Sequence, residues 1–359
     1  MSIKYNKVRL FTVALALMMV TPTLQAGNKD RIGSSGAEQV KINPWARSGS
    51  YANANSASVV GIESTFLNVS GLAMTRKMDL NLNYSSWLGG SGIGISSFGY
   101  AQRLGDYNVI GAGFQSLDFG DIQRTTTDLP DGAGTFNAQY STFYLSYARE
   151  FSNSIYAGVT TKVVSEGISN ASASAVAFDF GIRYVTGKNE NIKFGIALKN
   201  IGSQMKFQGD GFSTLTTIDS KVFTVSQRTQ GVELPSILNI GLTYDYLVGE
   251  MENSDSTGVR AMHRVSPAIN FMSNSFGKDQ ISFGVEYAFK EFIMARVGYL
   301  YEDKVTDASL STLAYSGPSA GVTVALPVNK TGSTLDIDYG YRATRSFSGT
   351  HTIGLRLNL

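Results

Sequence analysis

The sequence predicts an all-β protein: a transmembrane antiparallel β-barrel of about 14 strands, with an N-terminal hatch segment in its lumen. Three observations carry this. Long stretches alternate apolar and polar residues with period two, the pattern of a strand whose two faces meet different surroundings. No apolar run of membrane-spanning helical length follows the first two dozen residues. The connections between the alternating stretches are short at one end and long at the other, as in bacterial outer-membrane barrels.

Composition agrees. Charged residues make up 16% of the 359, against about 25% in an ordinary soluble domain. With no cysteine and two histidines, cysteine-ligated zinc, iron–sulfur clusters and disulfide scaffolds are excluded, and no cofactor is expected. A hydrophobic content of 43% with a net charge of only +2 argues against disorder and against a nucleic-acid partner.

Taken in order, residues 1–26 read as a signal peptide. Lys4, Lys7 and Arg9 precede the apolar run Leu10 to Val20, Pro22 breaks it, and Ala26 offers a small residue for cleavage. Residues 27–77 are too irregular for strands and too apolar for a disordered tail. A barrel of 14 strands is wide enough to need filling, so this segment is expected to plug the lumen, with Arg47 pairing a lumen carboxylate. The barrel itself occupies 78–359. Strands are expected at 78–88, 92–104, 107–118, 137–150, 154–166, 174–186, 191–202, 235–248, 262–271, 279–290, 291–303, 316–327, 332–342 and 349–359. Within them Phe178, Phe180, Ile182 and Tyr184 alternate with Asp179, Gly181 and Arg183, and Phe283, Val285 and Tyr287 with Gly284 and Glu286. The apolar set is expected to face lipid and the other set a polar lumen, so arginine should be costly at Val285 and milder at Gly284. Connections 119–136, 203–234 and 304–315 fall at the outer end. The stretch 249–261 is an unexpectedly long connection at the periplasmic end.

The order of Gly36-Ala37-Glu38, then Pro44-Trp45-Ala46-Arg47, then an Ala/Asn/Ser-rich run, then Asn68-Val69-Ser70-Gly71-Leu72-Ala73 resembles the PorV/PorQ family of type IX secretion. Ala295 to Glu302 and the closing Asp338-Tyr339-Gly340-Tyr341 with Gly349 to Ile353 look alike too. The resemblance implies a barrel similar to the fatty-acid transporter FadL. It implies a hatch that includes Pro44, Arg47, Asn68 and Gly71, and residence in the bacterial outer membrane among its lipids. It also implies that the chain binds other type IX components, either translocon or attachment complex, and the C-terminal domains of secreted cargo.

Catalysis has little support, and no enzyme is expected. Only His263 and His351 offer a base for a serine nucleophile, and no triad spacing accompanies them. The glycine-rich run Gly90 to Gly94 lacks the strand–helix setting of a dinucleotide site. Asp179, Asp245, Asp336 and Asp338 fall on lumen faces beside Arg183, Arg342 and Arg356, as a charged ladder. Phe207, Phe212 and Phe223 in the long loop 203–234 are expected to be water-exposed and to contact a protein partner. The alternative function is a FadL-like transporter of hydrophobic small molecules.

Overall fold

The computed structural model describes residues 27–253, 259–307, 309–329 and 332–359, so the stretch 1–26, expected to be a signal peptide, lies outside the described residues. The strands are β1 Met78–Trp87, β2 Ile93–Leu104, β3 Asn108–Gln123, β4 Thr135–Ser152, β5 Ile155–Ile168, β6 Ala171–Thr186 and β7 Ile192–Gly202. After a small separate hairpin, β8 Ser213–Ile218 and β9 Lys221–Ser226, come β10 Ile237–Tyr244, β11 Tyr246–Asn253, β12 Val259–Asn274 and β13 Gln280–Phe289. β14 Ile293–Glu302, β15 Tyr315–Pro327, β16 Thr334–Thr344 and β17 Thr350–Asn358 complete the chain.

Every neighbouring pair in the wall is antiparallel, and β1 pairs with both β2 and β17, so the sheet closes on itself. β10 and β11 both pair with β12 and form one wall position, which makes a closed barrel of 14 strands. The expected strand 235–248 is therefore interrupted, at Asp245. The break follows Tyr244, which by the register stands opposite Pro267 of β12, a residue with no N–H to give to a ladder. On the other side the Asp245 N–H continues the β7 register and donates to the carbonyl of Asn191, 2.8 Å away.

The two-face reading holds along the wall. Phe178, Phe180, Ile182, Phe283, Val285, Tyr287, Ile353 and Leu355 all stand exposed on the outer surface. Asp179, Arg183, Glu286, Asp336, Asp338 and Arg356 are buried on the inner one. So continuous an exposed apolar belt suits lipid, and in lipid only a closed sheet leaves no backbone group unpaired.

The ends differ as expected. Residues 105–107, 153–154, 187–191 and 290–292 are tight turns at one end; 124–134, 203–236 and 303–314 are long connections at the other. The long connection expected at 249–261 is instead mostly strand, because β11 runs to Asn253 and β12 starts at Val259. β3 likewise runs past its expected end at 118. A register shift between Asp118 and Asp121 absorbs the irregularity and pairing resumes to Gln123.

Residues 27–36 lie at the long-loop mouth: Arg31 pairs with Glu233 at 2.8 Å, and the Gly36 N–H donates to the Glu233 carbonyl. The chain then descends inside the barrel through two short helices, α1 Ala46–Ser50 and α2 Ser64–Leu67, and a 3-10 stretch Val69–Met74. It emerges at the tight-turn end, where the Lys77 N–H meets the carbonyl of Leu359 and the Leu359 N–H donates to Met78. Its bonds reach the wall all round. The Ala46 N–H donates to Asn83, the Tyr51 hydroxyl to the Ser266 carbonyl, the Asn68 amide to Ile182, and Asn239 and Ser319 donate to Leu67 and Ser50.

Candidate functional site

Local sequence sets the shape of the segment in the lumen. Asn43 accepts the Trp45 N–H at 2.9 Å, an Asx turn that starts α1 after Pro44. Asn68 caps the 3-10 stretch through the N–H and hydroxyl of Ser70. Gly61 takes φ +72, and a Cβ there would lie 1.9 Å from an Asp79 oxygen. Gly71 is required for room, since a Cβ would meet the Val59 carbonyl at 2.1 Å and the Arg183 guanidinium at 2.6 Å.

The side of the segment facing β12–β17 and β1 is ionic. Arg47 donates to Asp336 at 3.0 Å and to Asp338 at 3.2 Å, the expected pairing of Arg47 with lumen carboxylates. Arg356 pairs with Asp79 at 2.8 Å and also donates to the Val60 carbonyl, while Asp79 accepts the Ile62 N–H at 2.7 Å. Arg296 and Arg264 converge on Glu286 at 2.7 and 2.8 Å. Burial opposes the charge on Arg47, yet Asp338, Asp336, Glu63 and Glu286 together hold its pKa well above the ordinary value. Glu63 accepts the Ser48 N–H at 2.7 Å and the Ser48 hydroxyl. Burial raises its pKa despite the opposing fields of Arg47 and Arg356.

The expected ladder is correct in its faces and different in its pairs. Asp179 is matched by Lys162 at 2.6 Å and Asp245 by Lys193 at 2.5 Å. Arg183 donates to the Val59 carbonyl, and Arg342 donates to the Asn43 carbonyl and stacks 4.4 Å over Tyr315. Asp79, Glu63 and Arg296 were not singled out from the sequence, and Glu286 only as one of a lumen-facing set. Glu286 and Arg296 are direct cross-strand partners, a signal visible only once the β13–β14 register is known.

The side facing β2–β6 carries the larger apolar clusters, beside the buried Lys162–Asp179 pair and Arg183. Near the long-loop mouth Val40, Val164, Met205 and Leu234 form a buried cluster with Phe207 and Val232 against it. Near the other end Ile62, Leu72, Val109, Tyr144 and Val185 form a second. Between them lies a tight chamber of about 30 Å³ that shares Val40 with the first cluster and Tyr144 with the second. Pro44, Trp45 and Phe66 cap it from the segment; Ser97, Gln115, Thr142 and the Asp179-paired Lys162 belong to its wall side. Phe66 also borders a roomier, mixed polar vestibule of about 390 Å³, beside Lys199, whose Nζ sits 4.1 Å from the ring centroid.

Pro44, Arg47, Asn68 and Gly71 are thus brought together in one segment, whereas the three loop phenylalanines are not. Phe207 packs on the Val40 cluster, Phe212 is half-buried, and Phe223 stands exposed on the β8–β9 hairpin. The expectation that all three are water-exposed is corrected: the loop folds back over the mouth and uses Phe207 to cover apolar surface. Gly284 faces inward as expected, but the lumen there is filled, and a Cβ would sit 2.4 Å from the Tyr51 ring. His263 and His351 bond to the hydroxyls of Tyr287 and Tyr339, and the Gly90 run lies at the β1–β2 turn.

No family model and no curated protein matches the chain. Among solved structures it is similar to the CymD monoaromatic hydrocarbon channel, with TM-score 0.51 and 11% identity over 88% of this chain and 96% of that one. It is also similar to a deltaS2S3 mutant of the TodX monoaromatic hydrocarbon channel, with TM-score 0.50 and 13% identity over 83% and 95%. At such identities the likeness shows the fold, a FadL-like barrel.

Proposed function

We propose that this protein is an outer-membrane channel for small hydrophobic molecules, with residues 27–77 as its plug. The observation that carries the reading is the apolar lining from Met205 and Val40, past Trp45, Phe66 and Tyr144, to Ile62 and Leu72. Each apolar surface a solute covers along it returns about 25 cal/mol per Å² relative to water. The opposite side of the plug is pinned by buried ion pairs, so passage proceeds by parting the apolar side while the ionic side stays shut. CymD and TodX, named as monoaromatic hydrocarbon channels, have this fold, which favours the same class of cargo here.

The test is solute binding to the full-length protein in nanodiscs, with Trp45 as reporter in a Trp87→Phe background. Toluene should quench or shift Trp45 emission saturably, and Phe66→Ala should change the affinity several-fold. A linear, non-saturating response identical to that of empty nanodiscs would reject the channel.

A secretion role of the PorV/PorQ kind is the second reading, favoured by the β8–β9 hairpin. Leu215 and Val222 there are 73% and 69% exposed, and exposed apolar side chains of this kind serve as partner contacts. Under this reading the partners are type IX components and cargo C-terminal domains. Serine at Leu215, Val222 and Phe223 should then abolish their co-purification while leaving toluene binding unchanged.

A further inference from the structure

The chamber has an apolar cap and a hydrogen-bonding wall. Ser97 of β2, Gln115 of β3 and Thr142 of β4 are successive cross-strand partners, so they form one rung at one level of the inner wall. All three line the chamber. The Gln115 amide donates to the Ile42 carbonyl, but the hydroxyls of Ser97 and Thr142 are both buried without a hydrogen-bond partner. A buried hydroxyl left unpaired is costly, and two on one rung of one cavity point to an occupant that satisfies them.

We infer that the chamber binds an oxygenated monoaromatic molecule, of the phenol class, in preference to a hydrocarbon of the same size. This rests on the channel reading and narrows its cargo. Size follows from Phe66. About 30 Å³ admits little more than a water, and the ring of Phe66 separates this space from the vestibule of about 390 Å³. Swinging that ring outward vacates the volume of one aromatic ring, next to Trp45 and Tyr144. Chemistry follows from the rung. A phenolic oxygen both donates and accepts, so when it enters it pairs with one of the two hydroxyls, whose strands lie about 10 Å apart. A hydrocarbon pairs with neither, the situation in which a site rejects an analogue lacking one hydroxyl.

The experiment compares phenol with toluene on the full-length protein in nanodiscs, by Trp45 emission in the Trp87→Phe background and by calorimetry. The readout is the phenol-to-toluene affinity ratio, in which the differing partition of the two solutes into lipid cancels between variants. Ser97→Ala with Thr142→Val, close in shape to the originals, should lower that ratio about tenfold. Thr142→Ser, which keeps a hydroxyl, should preserve it. Heat-modifiable migration shows that each variant is folded. An unchanged ratio with toluene still binding would overturn the phenol assignment and leave the channel standing, with a water alone serving the hydroxyls. Loss of saturable binding for both solutes in the parent protein would overturn the channel reading itself.

Discussion

Asp79 joins three parts of the chain: it takes the Arg356 guanidinium from the closing strand and the Ile62 N–H from the segment inside the barrel. A buried pair of this kind contributes little net stability, but removing one partner strands a charge. Arg356→Met should therefore destabilise the barrel by about 3–5 kcal/mol in urea titrations from lipid vesicles. Adding Asp79→Asn should restore much of that, because the amide oxygen still accepts the Ile62 N–H without carrying charge. Glu63 behaves in the opposite sense to an ordinary paired carboxylate. Its pKa in the fold is raised by burial, so its contribution is fully present below the unfolded value and is lost as pH rises through the folded one. Glu63→Gln keeps an acceptor for the Ser48 N–H and escapes this loss. The variant's stability advantage over the parent should grow from acid to neutral pH in thermal melts. A constant or shrinking difference would show that Arg47 and Arg356 outweigh burial. Arg47 itself was legible in the sequence as a cation bound for the lumen. Its partners Asp336 and Asp338, 289 and 291 residues away, were visible only as one face of a distant strand.

The two faces of a strand follow from its period of two, so the elements were readable almost residue by residue and the barrel size with them. What alternation does not carry is register and interruption. The break at Asp245 depends on Pro267 arriving opposite the residue before it, Tyr244, and the extended β11–β12 hairpin continues through polar residues that lack the alternating signature. The adjacent positions 284 and 285 make the two faces measurable. Val285→Arg, on the lipid face, should cost about 2–4 kcal/mol if seated near the midplane. Gly284→Ala should also destabilise, by about 1–3 kcal/mol of overpacking against Tyr51, and a smaller side chain at Tyr51 should relieve it. That rescue should fail for Val285→Arg. Additive effects in both pairings would mean that Tyr51 does not fill the space beneath Gly284.

As a whole, the molecule is a wall that is apolar outside and, inside, gathers most of its ion pairs on one side and its apolar clusters on the other, with one segment of chain seated between them. Deleting residues 34–72 should leave a barrel that inserts and conducts. Asp336 and Asp338 would lose Arg47, so the current in planar bilayers should prefer cations; an electrically silent deletion variant would show that the segment does not block the pore. The path of that segment has a further consequence. Residues 27–36 rest at the long-loop mouth, whereas β1 begins at the tight-turn end. The segment therefore runs the full height of a ring that β1 and β17 close, like a cord through a bead. A cord cannot be threaded cheaply through a finished bead whose bore is already packed, so the order of assembly is constrained. The seam between first and last strands must shut after the segment is in place, and the wall is moulded on its own filling.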